Sequence, residues 1–290
     1  MRLTFLGTPE AAVPSLDALV AAGHDVVLVV TRPDKRRGRG SELSPSPVKT
    51  AARAHGLRVT HRLADVETSG AERGVVVAYG AMIPASLLAV VPMLNVHFSL
   101  LPRWRGAAPV QRAILAGDLD TGVSIISLEA ALDTGPVHLE RHVAIEEKSA
   151  AVLIDELARL GAAALIEVLD TPALLAHPRA QTGEVTYAEK ITKETLHLSP
   201  SRSAEETLRT VRLGGAFCFV EGLRVMVLGA RASVAVVAAG VVTSLDGEVV
   251  LGTAEGTVAL DSVRPEGSQT MAASAWWRGR YGAGTRIQWS

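Results

Sequence analysis

The first half of the chain alternates short apolar runs with segments that open at a proline and close at a glycine. Nearly continuous apolar runs are typical of parallel strands covered on both faces, and the segments between them are typical of crossover helices. The alternation therefore predicts an α/β domain with an open, mostly parallel, Rossmann-like sheet. The hydroxyl of Thr8, followed by Pro9, predicts the start of the first helix. The apolar runs are "RLTFLG" (2–7), "DVVLVVT" (25–31), "GVVVAYG" (74–80) and "LNVHF" (94–98).

The second half of the chain has a different pattern. Residues 149–170 have the spacing of apolar residues of a long amphipathic helix. The helical spacing is lost after this stretch, and we predict a linker at 181–200. Ser203 and Glu206 have the spacing of a capping box ahead of another helix. From 217 onward, short alternating segments are separated by Glu-Gly and Asp-Gly turns. We predict one domain over 1–180 and a small OB-like β-barrel domain over 201–290.

Composition excludes several classes of protein. Cys218 is the only cysteine, so the chain has no internal disulfide and no C-x-x-C metal or redox motif. The sequence "GTPEAA" at 7–12 has one glycine and no G-x-x-x-x-G-K-[ST] occurs, so neither NAD nor ATP has its phosphate-binding motif. No apolar run approaches about 18 residues, and we expect a cytoplasmic protein with no membrane segment.

Two polar side chains, Asn95 and His97, lie at alternate positions at the end of the fourth apolar run. Ligands of open α/β sheets bind outside the carboxyl ends of the strands, so this pair marks a candidate site. Taken alone, His97 is more often a core or rim histidine that hydrogen-bonds to the backbone. Asp133 lies in a "DTG" turn, where aspartate is usually structural. His138 and His142 lie on a predicted edge strand without the geometry of a helical metal-binding pair, so we predict surface residues and no metal.

A run of basic residues, "RPDKRRGRG" at 32–40, follows the second apolar strand. Such a run is usually a solvated loop. This one lies at the same carboxyl edge of the predicted sheet as His97, and its two glycines allow it to bend around a nucleic acid. The candidate nucleic-acid-binding residues are Lys35, Arg36, Arg37 and Arg39.

Several stretches closely resemble the methionyl-tRNA formyltransferase family, within the folate-dependent formyltransferase superfamily, and the resemblance covers nearly the whole chain. Asn, His and a downstream Asp around an S-L-L-P loop identify only the superfamily. The W-R-G-A-A-P continuation, the basic loop and the C-terminal domain narrow the resemblance to the tRNA enzyme. Phe98 departs from it, since many relatives have glycine there. The stretches are "FLGTPEAAVPSLDALVAAGHDVV", "RPDKRRGRGSELSPSPVK", "VVVAYGAMIP", "NVHFSLLPRWRGAAPVQ", "LDTGP", "TYAEKITKE" and "RPEGSQTM".

The resemblance implies transfer of the formyl group of 10-formyltetrahydrofolate to the α-amino group of methionine on initiator tRNA, for translation initiation. It implies Asn95, His97 and Asp133 as catalytic residues, and the residue types suit that chemistry. An amide and an imidazole can donate hydrogen bonds to a developing oxyanion, and a carboxylate can stabilise a charged imidazole and relay protons. The C-terminal domain and the basic loop would bind tRNA, and we expect a monomer. The loop expected to lie against the folate consists of Ser99, Leu100, Leu101 and Pro102.

Three other functions remain open from the residues. A formyltransferase for a small amine, such as glycinamide ribonucleotide, would share the three polar residues without needing the basic loop. A formyltetrahydrofolate hydrolase would use water as the acceptor. A noncatalytic folate- or RNA-binding module would not turn over the donor at all.

Overall fold

The computed structural model describes residues 1–36, 43–282 and 284–290, with two compact units. One unit is α/β and comprises Met1–Val110, Asp120–Ala144 and Leu153–Glu189. The other contains a small barrel and comprises Gln111–Leu119, Ile145–Val152 and Lys190–Ser290. Across these described ranges, none of the helices combines the length and the apolar character needed to cross a membrane.

Up to residue 127, a helix separates each long strand from the next, as predicted, and residues 120–127 and 137–144 are then two consecutive strands. Short 3-10 turns occupy Glu10–Ala12 and Leu63–Val66. In chain order, the strands and helices are β1 (Arg2–Gly7), α1 (Val13–Ala21), β2 (Asp25–Val30), β3 (Lys35–Arg36), β4 (Leu43–Ser44), α2 (Pro47–Ala54), β5 (Val59–Thr60), β6 (Arg73–Val77), α3 (Ala85–Val90), β7 (Met93–His97), β8 (Arg105–Gly106), α4 (Pro109–Ala116), β9 (Asp120–Ser127), β10 (Val137–Ala144), α5 (Ala150–Asp170), α6 (Pro172–Ala176) and β11 (Tyr187–Ala188).

The α/β unit is built on a seven-stranded sheet with the order β10-β9-β7-β6-β1-β2-β5. The five strands from β7 to β5 are parallel, whereas β9 is antiparallel to β7 and β10 is antiparallel to β9. The predicted, mostly parallel sheet is thus confirmed, and β10 lies at one of its edges. The central strands are apolar on both faces because both are covered, and their fully buried residues include Leu3, Phe5, Leu6, Val29 and Val75.

One helix boundary differs from its prediction. The first helix begins at Val13, after the 3-10 turn, and not at Thr8 and Pro9. The Thr8 hydroxyl donates instead to the carbonyl of Tyr79 at 3.1 Å, so a tertiary hydrogen bond replaces the local cap. The long helix α5 covers almost all of the predicted span, and the Ser149 hydroxyl accepts a hydrogen bond from the Val152 amide at 3.3 Å.

The remaining elements belong to the barrel unit. They are α7 (Lys193–Leu196), α8 (Ala204–Arg212), β12 (Phe217–Val220), β13 (Leu223–Ser233), β14 (Val241–Leu245), β15 (Glu248–Gly252), β16 (Thr257–Pro265), β17 (Met271–Ala272), α9 (Ala273–Arg280) and β18 (Arg286–Gln288).

These strands form an antiparallel sheet in the order β12-β13-β16-β15-β14-β18, and β17 also pairs with β16. The sheet nearly closes on itself, because Phe219 and Ser290 exchange two backbone hydrogen bonds of 2.6 and 2.9 Å. The predicted OB-like barrel is confirmed. The capping box is also confirmed, since the Glu206 amide donates to the Ser203 hydroxyl and the Ser203 amide to the Glu206 carboxylate. The barrel core is lined by Val225, Val227, Val249, Val258, Val263 and Trp277.

Candidate active site

Asn95 and His97 lie at the carboxyl end of β7, inside the sheet. Asn95 is opposite Val76 of β6 on one side and Ile126 of β9 on the other. The two side chains are deeply buried, with exposed fractions of 8% and 6%, and the alternation of the strand puts them on one face. Within the three described ranges, the side-chain amide of Asn95 makes no hydrogen bond, which leaves its NH₂ donors and its carbonyl acceptor for a bound molecule.

Both ring nitrogens of His97 face protein acceptors. Nε2 lies 2.9 Å from the carbonyl oxygen of Trp104, so it carries a hydrogen and donates it. Nδ1 lies 3.7 Å from Oδ2 of Asp133. The fold thus brings the predicted His97 and Asp133 together, with the imidazole held between a carbonyl and a carboxylate.

Asp133 is held in place by its backbone surroundings. Its φ of 52° lies in the left-handed region, and its Oδ2 accepts a hydrogen bond from the Gly106 amide at 2.8 Å. The next glycine of the "DTG" turn, Gly135, makes a close approach to β9, because a Cβ added there would lie 1.7 Å from the carbonyl oxygen of Ser127. The turn therefore has a structural reason for its glycine while its aspartate faces the imidazole.

The S-L-L-P loop is fixed to β9 by one side chain. The Ser124 hydroxyl donates to the carbonyl of Ser99 at 2.8 Å and accepts from the Leu101 amide at 3.1 Å. The Ser99 hydroxyl donates to the Arg103 carbonyl at 2.6 Å, which closes the loop on itself. Leu101 and Pro102 are joined by a cis peptide, and Leu101 packs in a small apolar cluster with Ile126 and Val137. Leu100 is half-buried.

Phe98 points away from the site. A Cβ added to Gly161 of α5 would lie 2.7 Å from Val96 and 3.7 Å from the Phe98 ring, so both side chains lie on the α5 face of β7. Asn95 and His97 occupy the opposite face. The Phe98 ring is therefore accommodated beneath the sheet.

Two short strands that the sequence did not predict secure the segment after the loop. β8, which contains Arg105 and Gly106, pairs in parallel with Tyr187 and Ala188 of β11. Gln181, also unpredicted, bonds to the backbone of the Asp133 turn and to the Arg105 side chain. Strands of two residues have no detectable period, and a glutamine in an irregular segment gives no signal of its own.

His138 was predicted at the surface, and that prediction is wrong. Its side chain is buried, with Nδ1 2.9 Å from the Leu174 carbonyl and Nε2 2.8 Å from the Ser127 hydroxyl. Burial lowers the pKa of this imidazole, an effect that the Leu174 carbonyl opposes and the charge of Arg73 reinforces. The helix α6 and the edge strand β10 enclose His138, whereas the alternation of apolar and polar residues along the strand predicts a solvent-facing position. His142 is exposed, as predicted.

The basic run lies partly outside the described residues. Lys35 and Arg36 form β3, which pairs with Leu43 and Ser44 of β4, and Arg37 and Arg39 fall outside the described ranges. Next to this pair of strands, the ammonium of Lys49 contacts both oxygens of Asp34 at 2.7 and 2.8 Å. The hydrogen bond from Lys49 lowers the pKa of Asp34. Over the described part of the chain, no group of three or more His, Cys, Asp or Glu side chains is arranged to hold a metal ion.

Comparison with known proteins gives consistent matches over both units. Residues 1–169 match the family described as Formyl transferase, and residues 190–281 match the Formyl transferase, C-terminal domain. The methionyl-tRNA formyltransferase of Clavibacter sepedonicus is 44% identical over 297 residues, covering 96% of this chain and 97% of its own. That of Thermus thermophilus is 43% identical over 305 residues, covering 99% of each. The structure of a sugar 3N-formyl transferase, determined with dTDP and 5-N-formyl-THF, shares the fold with a TM-score of 0.67 at 15% identity, covering 93% of this chain and 99% of its own.

Proposed function

The chain belongs to the methionyl-tRNA formyltransferase family, and we infer that it transfers the formyl group of 10-formyltetrahydrofolate to the α-amino group of methionine on initiator Met-tRNA. The product is the formylated tRNA used to initiate translation. The observation that carries this function is the buried Asn95 and His97 at the end of β7, with the Asp133 carboxylate facing the imidazole.

Asn95 is proposed as the main donor to the formyl oxygen. Attack of an amine on the formyl carbon puts negative charge on that oxygen, and preorganised donors stabilise the charge. The Asn95 amide suits this role because it is buried at the strand end and has no partner among the described residues. His97 can supply a second donor when its Nε2–H exchanges the Trp104 carbonyl for the substrate.

Asp133 is proposed to manage the protons of the reaction. The attacking amine loses a proton as its bond to the formyl carbon forms, and the departing folate nitrogen gains one as its bond to that carbon breaks. Oδ2 of Asp133 is held by the Gly106 amide and lies 3.7 Å from His97 Nδ1. The carboxylate can therefore take the proton of the amine directly or through water and pass it to the departing folate nitrogen.

The S-L-L-P loop is proposed as the wall of the folate site. 10-Formyltetrahydrofolate supplies the formyl carbon and leaves as tetrahydrofolate. Leu100, Leu101 and the conformationally restricted Pro102 provide an apolar surface for a pterin ring, and Ser99 and Ser124 hold the loop in one shape.

The tRNA is proposed to contact two parts of the chain. The basic loop with Lys35, Arg36, Arg37 and Arg39 would contact phosphates, and the OB-like domain would contribute a second surface. We propose domain boundaries at 1–180 and 201–290 with a linker at 181–200. We also propose that the protein is a cytoplasmic monomer.

A donor-turnover assay with several acceptors tests this function. The purified protein is given 10-formyltetrahydrofolate and charged initiator tRNA, and formyl-methionyl-tRNA is quantified by chromatography after deacylation. We expect product to form with Met-tRNA, and neither glycinamide ribonucleotide nor water to replace it. Formate release without any amine would identify a hydrolase, and no donor turnover would identify a binding module.

A further inference from the structure

Gln181 lies in the irregular segment after α6 and uses its whole side-chain amide. Its Nε2 donates to the carbonyl of Asp133 at 2.8 Å and to the carbonyl of Gly135 at 2.9 Å. Its Oε1 accepts from Nε and Nη2 of Arg105 at 3.1 and 2.5 Å. The amide orientation follows from the partners, because a carbonyl can only accept and a guanidinium can only donate.

These hydrogen bonds form part of a closed ring around the carboxylate of Asp133. Arg105 binds Gln181, Gln181 binds the backbone of Asp133, and the Asp133 carboxylate accepts from the amide of Gly106, the residue next to Arg105. The preceding residue, Trp104, supplies the carbonyl that receives the Nε2–H of His97. Three consecutive residues therefore hold the two polar groups whose mutual distance is 3.7 Å.

The backbone of Asp133 needs such support. Its φ of 52° is left-handed, a conformation that residues other than glycine adopt uncommonly, although aspartate tolerates it better than most. Both donors of Gln181 act on this turn, at Asp133 itself and at Gly135. The Arg105 end is itself fixed, since its amide donates to the Thr186 carbonyl at 2.9 Å and its strand pairs with β11.

We propose that Gln181 and Arg105 are positioning residues, which together hold the Asp133 turn so that its carboxylate faces His97. The inference rests on the proposed formyl transfer and on the role of Asp133 in it. Among the described residues, the side-chain hydrogen bonds of Gln181 go to Arg105 and to the Asp133 turn and not to His97, so it would act on the reaction through the turn. A displacement of a catalytic group by about 1 Å can cost on the order of 10²-fold in rate.

The kinetic test replaces Gln181 with methionine, which keeps the length of the side chain and removes every hydrogen bond. We expect Gln181→Met to lower kcat by about 10- to 100-fold, with KM for both substrates unchanged. Gln181→Glu retains an acceptor for Arg105 but turns an oxygen toward two carbonyls. Its kcat should therefore be no higher than that of Gln181→Met. Glu184→Met, an exposed change three residues further along the same segment, is the matched control and should leave kcat unchanged.

A double-mutant cycle separates positioning from a general structural effect. If Gln181 acts through the carboxylate, Gln181→Met should cost little further activity in an Asp133→Asn background. An equal loss in both backgrounds would overturn the proposal, as would parental kcat in Gln181→Met.

Hydrogen–deuterium exchange gives a readout that does not depend on activity. The Gly106 amide is protected by the Asp133 carboxylate, so the peptide containing residue 106 should exchange faster in Gln181→Met at an unchanged Tm. Unchanged protection would overturn the proposal that Gln181 holds the Asp133 turn, whatever the kinetics show. A wild-type protein that does not formylate Met-tRNA would refute the proposed function instead. The exchange measurement would still show whether Gln181 holds the Asp133 turn.

Discussion

Asn95 is the only asparagine in the chain of 290 residues. Asparagine is favoured in turns, where it tolerates positive φ and hydrogen-bonds to its own backbone. This chain places other residues in such turns, including Glu146, Glu221 and Asp246, and keeps its one asparagine at a buried strand end. The side-chain amide of Asn95 has no protein partner among the described residues, yet it is not one of the fully buried polar atoms, so it is accessible to a bound molecule, which favours a role in binding or chemistry.

Asn95→Ala should therefore lower the rate and not the binding of folate. Loss of one donor to a developing oxyanion costs about 10²–10³ in rate, while the S-L-L-P loop is untouched. His97→Ala is expected to have a similar effect. Steady-state kinetics with Met-tRNA and a fluorescence titration with folate separate the two quantities. Parental kcat at saturating substrates in either variant would remove that residue from the mechanism.

His138 should make the stability of the protein depend on pH. Its pKa in the folded state is lowered, chiefly by burial, below that of the unfolded chain. The native state therefore binds fewer protons, so the contribution of His138 is fully present above about pH 6.5, the usual histidine pKa, and is lost as pH falls through the lower folded value. Urea unfolding between pH 7 and 5 should show a smaller decline for His138→Gln than for wild type. His142→Gln, which changes an exposed histidine of the same strand, is the control.

At the scale of elements, the contact between α5 and β7 determines where the site residues lie. Gly161 allows the close approach, because a Cβ at this position would lie 2.7 Å from Val96 and 3.3 Å from Val123. Both valines lie on the strands that carry or flank Asn95 and His97. Position 161 of the helix therefore requires a glycine if β7 is to keep its place.

Gly161→Val should destabilise the protein by about 1–3 kcal/mol, as overpacking of a close contact does. It should also lower kcat, since β7 must shift. Gly279→Ala in α9 is the contrasting change, because nothing lies within 4 Å of a Cβ added there. Replacing a helical glycine by alanine without a clash stabilises by about 0.5–1 kcal/mol. Urea midpoints measure both, and a neutral Gly161→Val would show that α5 can move without effect.

At the scale of the whole molecule, the balance of charge leaves little general attraction for tRNA. The chain has 29 basic and 30 acidic residues, so we expect the attraction to come from local patches, of which the basic loop is the proposed one. Combined replacement of Arg36, Arg37 and Arg39 by alanine should lower kcat/KM for Met-tRNA. Each lost phosphate contact should lower the salt slope of binding by about one.

Folate binding should be unaffected in this loop variant, and Arg159→Ala on the exposed face of α5 serves as a charge control. Filter binding over a range of salt measures the slope. An unchanged slope and unchanged efficiency would make the loop a solvated connection.

Cys218 reports on the integrity of the barrel. Its side chain is fully buried in the barrel core, and burial raises the pKa of the thiol to about 12. Since the thiolate is the reactive form, Ellman's reagent at pH 8 should not label the native protein and should label it once the barrel unfolds in urea. Labelling in native buffer at the rate of a free thiol would show that the barrel opens readily.

The sequence alone determined the elements whose signals are local. β1, β2, β7, α5 and the capped helix α8 follow from apolar period, proline, glycine and capping residues, because these act over a few neighbouring positions. Asn95 and His97 were found the same way, as polar residues where a strand favours apolar ones. The family came from motifs that remain recognisable along the chain.

Only the tertiary structure decided which distant residues meet. Asp133 faces His97 because an amide of β8 holds its carboxylate, and Gln181 reaches its turn across 48 positions of the chain. β8 and β11 become strands only by pairing with each other, and the ring of His138 is enclosed between the Leu174 carbonyl of α6 and the Ser127 hydroxyl of β9. Such contacts join residues that are far apart in the sequence, and no local pattern of apolar residues predicts them. The residue types at these positions therefore give no signal until the fold brings their partners together.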